Sequence, residues 1–175
     1  MASVTLRPWS ADDFDLLVQA NAATMTAHLG GPESDDQVRE RHTNYLRYWR
    51  EGTARMFVIE ADEGRVGGIG WWTTQWNGDD VHETGWFVLP SAQGQGIARA
   101  AAALVIEDAV QFGTHQLLTA CPSVDNRASN SLCAHSGFTR GDVESFPFRG
   151  TTLTVTMWTL DLESRRRTSV RTPHS

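Results

Sequence analysis

One segment near the middle of the chain constrains the fold most, because it combines a strand end, a glycine-rich turn and a helix start. It runs from Val88 to Arg99, with Pro90 stopping the strand and Gly94 and Gly96 in the turn. Glycines let a backbone approach a ligand closely, and free N–H groups at a helix N-terminus point at it. The segment predicts an anion site that suits a pyrophosphate, although a tight turn also needs glycine for its geometry.

Two familiar nucleotide motifs do not explain this turn. It lacks the Lys-Ser/Thr pair of a Walker loop, and neither a third glycine nor a downstream acid stands in the register of a dinucleotide fingerprint. A protein that cradles the phosphates of some other nucleotide is a competing hypothesis.

The pattern on both sides of this segment predicts an α/β (α+β) domain with one mixed, mostly antiparallel sheet of about six or seven strands. A helix over 96–112 and a short apolar strand over 117–121 complete a β-α-β unit, in which that strand runs parallel to the one before the turn. Other strands are predicted at 4–7, 56–61, 65–75, 81–89, 139–148 and 151–162, and other helices at 10–25, 34–51 and 126–136.

Length and composition predict a single folded domain. At 175 residues the chain can bury a core, and we expect this domain to occupy 1–162, followed by an arginine-rich tail over 163–175. Cys121 and Cys133 lie in no disulfide or zinc spacing, and we expect no metal. No segment is apolar enough to span a bilayer, so we expect a cytoplasmic protein without a membrane partner.

The net charge of the chain indicates which classes of ligand it can attract. The formal net charge is −6, and every basic residue is arginine. An acidic body disfavours nucleic acid and attracts cationic substrates. Arg165, Arg166, Arg167 and Arg171 lie at the C-terminal end, where a solvated, poorly ordered tail is a better expectation than a phosphate-binding arm.

With these motifs in place, the chain resembles the GNAT superfamily of acetyltransferases. The family signature, Gln/Arg-x-x-Gly-x-Gly/Ala after a strand ending in Val-x-Pro, is similar to Gln93–Ala98 after Val88-Leu89-Pro90. A second family block is similar to Asn126–Ser129 followed by Gly137-Phe138. The resemblance covers residues 3–162 and looks closest to the branch of ribosomal-protein-alanine and small-molecule N-acetyltransferases, which implies the GNAT fold.

The resemblance implies acetyl-CoA as co-substrate and assigns roles along these motifs. Backbone N–H groups from Gly94 to Arg99 would grip the CoA pyrophosphate, Phe87 and Val88 would line the pantetheine, and the Val88 N–H would hold the oxyanion. Asn126 would contact the pantetheine, although its position equally suits a helix cap. The implied cofactor-binding set is Phe87, Val88, Gln93, Gly94, Gln95, Gly96, Ile97, Ala98, Arg99, Asn126 and Ser129.

The implied reaction is attack of a neutral amine on the thioester, which needs a base because alkyl amines are mostly protonated at neutral pH. Glu83, on the signature-bearing strand, is the candidate, against a rim or salt-bridge role. Many relatives use a tyrosine as general acid where this chain has Cys133, a residue type that more often packs in a core. Ser129 or Ser131 with water is an alternative, so the general acid stays unassigned.

Other residues near the expected cleft have packing alternatives. Trp71, Trp72, Trp76 and Trp86 could wall an amine pocket, although core packing is the stronger expectation, and alternation turns Trp71 and Trp72 to opposite faces. His82, beside Glu83, could relay a proton, although an exposed position at a strand end is the stronger expectation.

The leading function is therefore acetyl transfer to an amine acceptor, either a small molecule or a protein N-terminus. A non-catalytic acyl-CoA-binding module is the alternative that the missing tyrosine favours. Homodimers are common in the family, which suggests one here by analogy only.

Overall fold

Seven strands form one sheet in the computed structural model, which describes residues 3–170 of the chain. The strands are β1 (Thr5–Pro8), β2 (Ala54–Ala61), β3 (Gly64–Trp76), β4 (Asp79–Val88), β5 (Leu117–Ala120), β6 (Thr139–Phe148) and β7 (Thr151–Asp161). Their spatial order is β1-β2-β3-β4-β5-β7-β6, and β4 with β5 is the parallel pair among antiparallel neighbours. The predicted mixed sheet and its β-α-β unit are confirmed.

Helices cover both faces of this sheet. They are α1 (Phe14–Ala20), α2 (Ala23–Thr26), α3 (Asp35–Glu51), α4 (Ile97–Phe112), α5 (Arg127–His135) and α6 (Leu162–Val170). The predicted limits of α3 are correct: the Ser34 hydroxyl accepts the Gln37 N–H, and Gly52 ends the helix with a left-handed φ of 67°. None of the helices within the described residues is long and apolar enough to cross a bilayer.

Strand alternation divides the interior into two cores. One core, on what we call the α4 face, packs α4 and α5 against side chains such as Trp86 and Val88. The other, on the α3 face, packs α1 and α3 against side chains such as Met56 and Val58, with Phe87 at its edge. Odd-numbered residues of β4 therefore point to the α3 face and even-numbered ones to the α4 face.

The predicted helix over 10–25 is wrong as a single element. Ala11–Asp13 form a 3-10 turn, and α1 and α2 follow as separate short helices. The buried Asp13 carboxylate organises the entry, since it accepts from the Ser10 hydroxyl at 2.7 Å and from Arg7 at 2.9 Å. Val18, expected on the apolar face, is 52% exposed.

The expectation of a poorly ordered tail is wrong for residues 163–170, which lie in α6. Arg166 explains the order, because its guanidinium donates to the carbonyls of Val110 and Gly113 at the end of α4, at 3.0 and 2.8 Å. A cation at a helix C-terminus satisfies orphan carbonyls and the helix dipole. Residues 171–175, including Arg171, lie outside the described part of the chain.

His82 is buried, contrary to the expectation of an exposed strand end, with 2% of its surface accessible. Its Nε2 accepts the backbone N–H groups of Thr114 and His115 at 2.9 and 3.2 Å, which ties β4 to the chain after α4. These bonds require a neutral imidazole whose Nδ1 faces the Thr73 hydroxyl at 3.3 Å. Burial, together with the positive charges of His115 and Arg166, lowers the pKa of His82 to about 4.

We predict that His82 makes the fold sensitive to acid. Since the pKa of His82 lies below the ordinary 6.5, the unfolded chain binds the extra proton between these values, so stability rises with pH from about 4 to 6.5 and then levels off. The effect is on the order of 3 kcal/mol. Denaturant unfolding across this range should show a shallower pH dependence for His82→Gln than for wild type, while the exposed-site control His28→Gln follows wild type. Parallel curves for all three proteins would contradict this role.

Candidate active site

The central feature of the site is a gap between β4 and β5. The two strands pair only through His82 with Leu118 and Glu83 with Thr119, after which β4 continues to Val88 without β5 beside it. The Thr119 hydroxyl also donates to the His82 carbonyl at 3.1 Å and closes this end of the pairing. Beyond it, one edge of β4 is open.

Backbone N–H groups of β4 line the gap. Leu89 donates its N–H to the Val66 carbonyl at 2.8 Å, on the β3 side of the strand. Because N–H directions alternate along a strand, the N–H groups of Val88 and Trp86 point the other way, into the gap. The Val88 N–H, the predicted oxyanion donor, therefore faces the gap. The Trp86 N–H is a second donor, which alternation along the predicted strand could have identified.

The loop before α4 supplies further N–H groups. Gly94 and Gly96 adopt φ values of 75° and 78° in the left-handed region, which a residue with a side chain rarely adopts. Gln93 donates its backbone N–H to Pro90, and the next backbone bond is that of Ala100 to Gly96, so the N–H groups from 94 to 99 carry no backbone partner. This row of donors at the start of a sixteen-residue helix can bind an anion.

Side chains of the predicted cofactor set hold this loop in place. The Gln93 amide donates to the Val88 carbonyl at 2.8 Å, and the Gln95 amide donates to the Ser91 carbonyl at 3.1 Å. Ile97 is buried in the α4 core, Ala98 is half-buried and Arg99 is exposed in the first turn. The members of the set from Gln93 to Arg99 thus lie in the loop and the first turn of α4, and Phe87 lies on the α3 face of β4.

Asn126 and Ser129 lie at the start of α5, after β5. The Asn126 side-chain oxygen accepts the Ser129 N–H at 3.1 Å, so Asn126 caps the helix, which is the alternative weighed from the sequence. Asn130, not singled out from the sequence, donates to the Ser123 carbonyl at 2.9 Å and accepts the Trp158 indole N–H at 3.0 Å. It secures α5 to β7, a contact that no local pattern predicts.

Glu83 lies half-buried on the α3 face, directly opposite Trp72 in the β3–β4 register. Burial disfavours the charged form and raises the pKa of this carboxyl to about 7. Within residues 3–170, no arginine or histidine forms an ion pair with it. The carboxylate can therefore accept a proton near neutral pH.

The cysteine that replaces the family tyrosine packs in the core. Cys133 is 0% exposed, and burial raises the pKa of its thiol to about 12, which makes it a poor donor to a thiolate. Ser129 is half-buried, and Ser131 is exposed with its hydroxyl 3.3 Å from His135. The described part of the chain holds no cluster of side chains suited to a metal ion.

The tryptophans divide between the two faces as alternation predicts. Trp71 is buried on the α4 face, donates its indole N–H to Asp108 at 2.8 Å and shares a core with Trp86. Trp72 and Trp76 lie on the face of Glu83, and the Trp72 ring covers Gly85, where an added Cβ would come within 2.9 Å of it. Core packing thus holds for three of the four, because Trp72 also packs against the edge of the α3 core.

Comparisons with known proteins bear on the family and the fold. Residues 3–139 match the sequence model of the acetyltransferase (GNAT) domain. By structure, the chain is similar to the Salmonella typhimurium acetyltransferase that modifies the N-terminal serine of ribosomal protein L7/L12, at 19% identity and a TM-score of 0.73 over 91% of this chain and 95% of that one.

Two further solved structures are similar in fold. Spermidine N-acetyltransferase from Vibrio cholerae, in complex with CoA and spermine, matches at 19% identity and a TM-score of 0.73, covering 91% of this chain and 96% of that one. An aminoglycoside acetyltransferase in complex with coenzyme A matches at 16% identity and a TM-score of 0.78, over 95% and 99%. No curated protein sequence matches the chain.

Proposed function

The chain belongs to the GNAT acetyltransferase family, and on that basis we propose that it transfers an acetyl group from acetyl-CoA directly to a primary amine, of a small molecule or a protein N-terminus. The observation that carries this proposal is the open edge of β4, which presents two unpaired N–H donors beside the N–H-rich loop before α4. We also propose that the chain belongs to the branch of ribosomal-protein-alanine and small-molecule N-acetyltransferases and that it acts in the cytoplasm.

In this proposal the CoA pyrophosphate lies on the N–H groups from Gly94 to Arg99. The pantetheine amides, which resemble a peptide backbone, occupy the gap and pair with the free edge of β4 in the manner of an added strand. Phe87 and Val88 border the thioester, and Asn126 with Ser129 borders the other side of the gap.

The chemistry follows from these positions. The amine nitrogen attacks the thioester carbonyl carbon, and the Val88 N–H stabilises the oxyanion of the tetrahedral intermediate. Its collapse breaks the C–S bond and releases the CoA thiolate, while the proton of the amine passes to Glu83. Glu83 and Val88 lie five residues apart, about 17 Å along β4, so the proton travels through water.

A pair of glycine variants tests the anion cradle. Gly96→Ala and Gly78→Ala both place a methyl group at a left-handed φ, of 78° and 86°, with no protein atom within 4 Å. Both should lose about 1 kcal/mol of stability from the same backbone strain. Only Gly96→Ala should weaken CoA binding, by roughly tenfold or more, in titration calorimetry. Equal losses of CoA affinity in both variants would rule out this cradle.

The pH dependence of turnover tests Glu83. With an amine that stays neutral throughout the range, kcat/KM should rise with pH and level off above about 7, because the carboxyl must be ionised to accept the proton. Glu83→Gln should lower kcat/KM by roughly a hundredfold and remove this rise. The exposed Glu40→Gln variant is the matched control and should keep the wild-type profile.

The remaining outcomes of this assay separate the alternatives. Turnover by Glu83→Gln with the wild-type pH profile would assign the base elsewhere. Tight CoA binding without free-thiol release from any amine would support the non-catalytic acyl-CoA-binding module.

A further inference from the structure

The segment between α1 and α3, residues 21–34, forms a closed loop that we call the strap. The Asn21 side chain ties its two ends together: its amide donates to the Glu33 carbonyl at 2.9 Å, and its oxygen accepts the Glu33 N–H at 2.7 Å. On α2, the sulfur of Met25 lies 3.8 Å from the side-chain amide nitrogen of Gln93. The strap therefore adjoins the loop before α4.

The strap also meets the β6–β7 hairpin. β5 ends at Ala120, and residues 151–157 of β7 extend beyond this end, in the direction in which the gap opens. The tip of the hairpin at 149–150 thus lies at the open end of the gap. Next to it, a Cβ added to Gly30 of the strap would come within 2.7 Å of the Thr151 methyl group. Hairpin and strap are therefore in contact.

An ion cluster holds this contact together. The Glu33 side chain is only 8% exposed, its Oε2 lies 3.2 Å from Nη2 of Arg149, and its Oε1 forms an ion pair with Arg41 of α3. Separating Glu33 from Arg149 would leave a buried carboxylate with one partner fewer, which is costly. The loop before α4, the strap and the hairpin are thus connected, and we call the three together the frame.

Arg149 occupies its position at a conformational cost. Its φ of 47° lies in the left-handed region, and with Gly150, at 76°, it forms the two-residue turn of the hairpin. Such turns favour asparagine or glycine at the first position, and the β3–β4 hairpin has Asn77 there, with φ 53°. Backbone strain persists where the surrounding contacts impose it, and it is typical of functional positions. The ion pair with Glu33 is such a contact.

The frame lies on the side from which the amine approaches. The Val88 side chain packs into the core of the α4 face, and the proposed base Glu83 lies on the α3 face, so the amine reaches the thioester from the α3 face. Tyr45 of α3 packs against the core of that face. Burial raises the pKa of its hydroxyl, and the nearby charges of Arg41 and Arg149 act against this rise. The cluster therefore closes the α3 face at the open end of the gap.

We propose that the Glu33–Arg149 pair determines acceptor specificity by keeping the frame closed, so that it favours an amine on an unbranched alkyl chain over the N-terminus of a peptide. The inference rests on the proposed function and chooses between its two acceptor classes. An alkyl amine is slender enough to pass between strap and hairpin with the pair intact. A peptide N-terminus is branched beside its amine and brings further chain with it, so the frame must open and the pair must separate.

The test variant is Arg149→Asn, which removes the pair and places at the left-handed φ a residue type that this turn prefers, so the hairpin is retained. The measurement is kcat/KM for an unblocked alanine peptide and for butylamine, each with acetyl-CoA. We expect the peptide-to-butylamine ratio to rise by roughly tenfold or more over wild type, because the buried pair no longer has to be broken. The intrinsic reactivities of the two amines cancel in this comparison.

Two further variants separate the ion pair from a general loosening of the protein. Arg149→Lys keeps the cation and should keep a ratio close to that of wild type. Arg39→Asn removes an exposed arginine of α3, whose side chain is 64% exposed, and should leave the ratio unchanged. A ratio unaltered in Arg149→Asn, or an equal rise in Arg39→Asn, would overturn the proposal.

If no amine is acetylated, the proposed function fails, and access to Cys121 decides the inference. This half-buried thiol lies near Glu83, whose charge adds to burial in raising the thiol pKa. N-ethylmaleimide and a polyethylene glycol maleimide share one chemistry and differ in bulk, so the ratio of their rates at Cys121, followed by peptide mass spectrometry, measures access. Arg149→Asn should raise the relative rate of the bulky reagent, and no rise would overturn the inference.

Discussion

The site depends on the separation of β4 from β5 after two pairs of residues. At the paired end, the Thr119 hydroxyl donates to the His82 carbonyl, and the His82 ring binds the N–H groups that follow α4. At the open end, the Gln93 amide takes the Val88 carbonyl that a neighbouring strand would otherwise have bound. The N–H groups of Trp86 and Val88 remain available, and backbone groups of this kind demand a partner. In the proposed complex, the peptide-like amides of the pantetheine supply one.

Burial connects this geometry to the chemistry. Glu83 lies on the face opposite to His82, and the same withdrawal from water that keeps His82 neutral raises the pKa of the Glu83 carboxyl to about 7. A base near neutrality can take a proton from an amine during transfer and release it to water afterwards. Glu144 lies on the same face of the sheet, as the register from β4 through β5 and β7 to β6 shows.

Local patterns predicted most of the fold and the glycine-rich turn before α4. The glycine turn, the Ser34 cap and the hairpins each depend on a few residues that are adjacent in the sequence, so they can be identified from it. The burial of His82 was missed because it requires α4 to end beside β4, where Arg166 of α6 caps it. The hydrogen bond that the Trp76 indole N–H donates to Glu144 at 3.0 Å was missed because it joins β3 to β6, 68 residues apart, and no periodicity encodes that.

Residue-resolved amide hydrogen exchange, with and without CoA, tests the central claim most directly. If the open edge of β4 and the loop before α4 hold the cofactor, CoA should slow exchange at Trp86, Val88 and the amides from 94 to 99. The edge of the sheet near Leu6 and Leu104, where a separate shallow pocket lies, should be unaffected. Protection confined to that pocket, or no protection at Trp86 and Val88 under saturating CoA, would contradict the account.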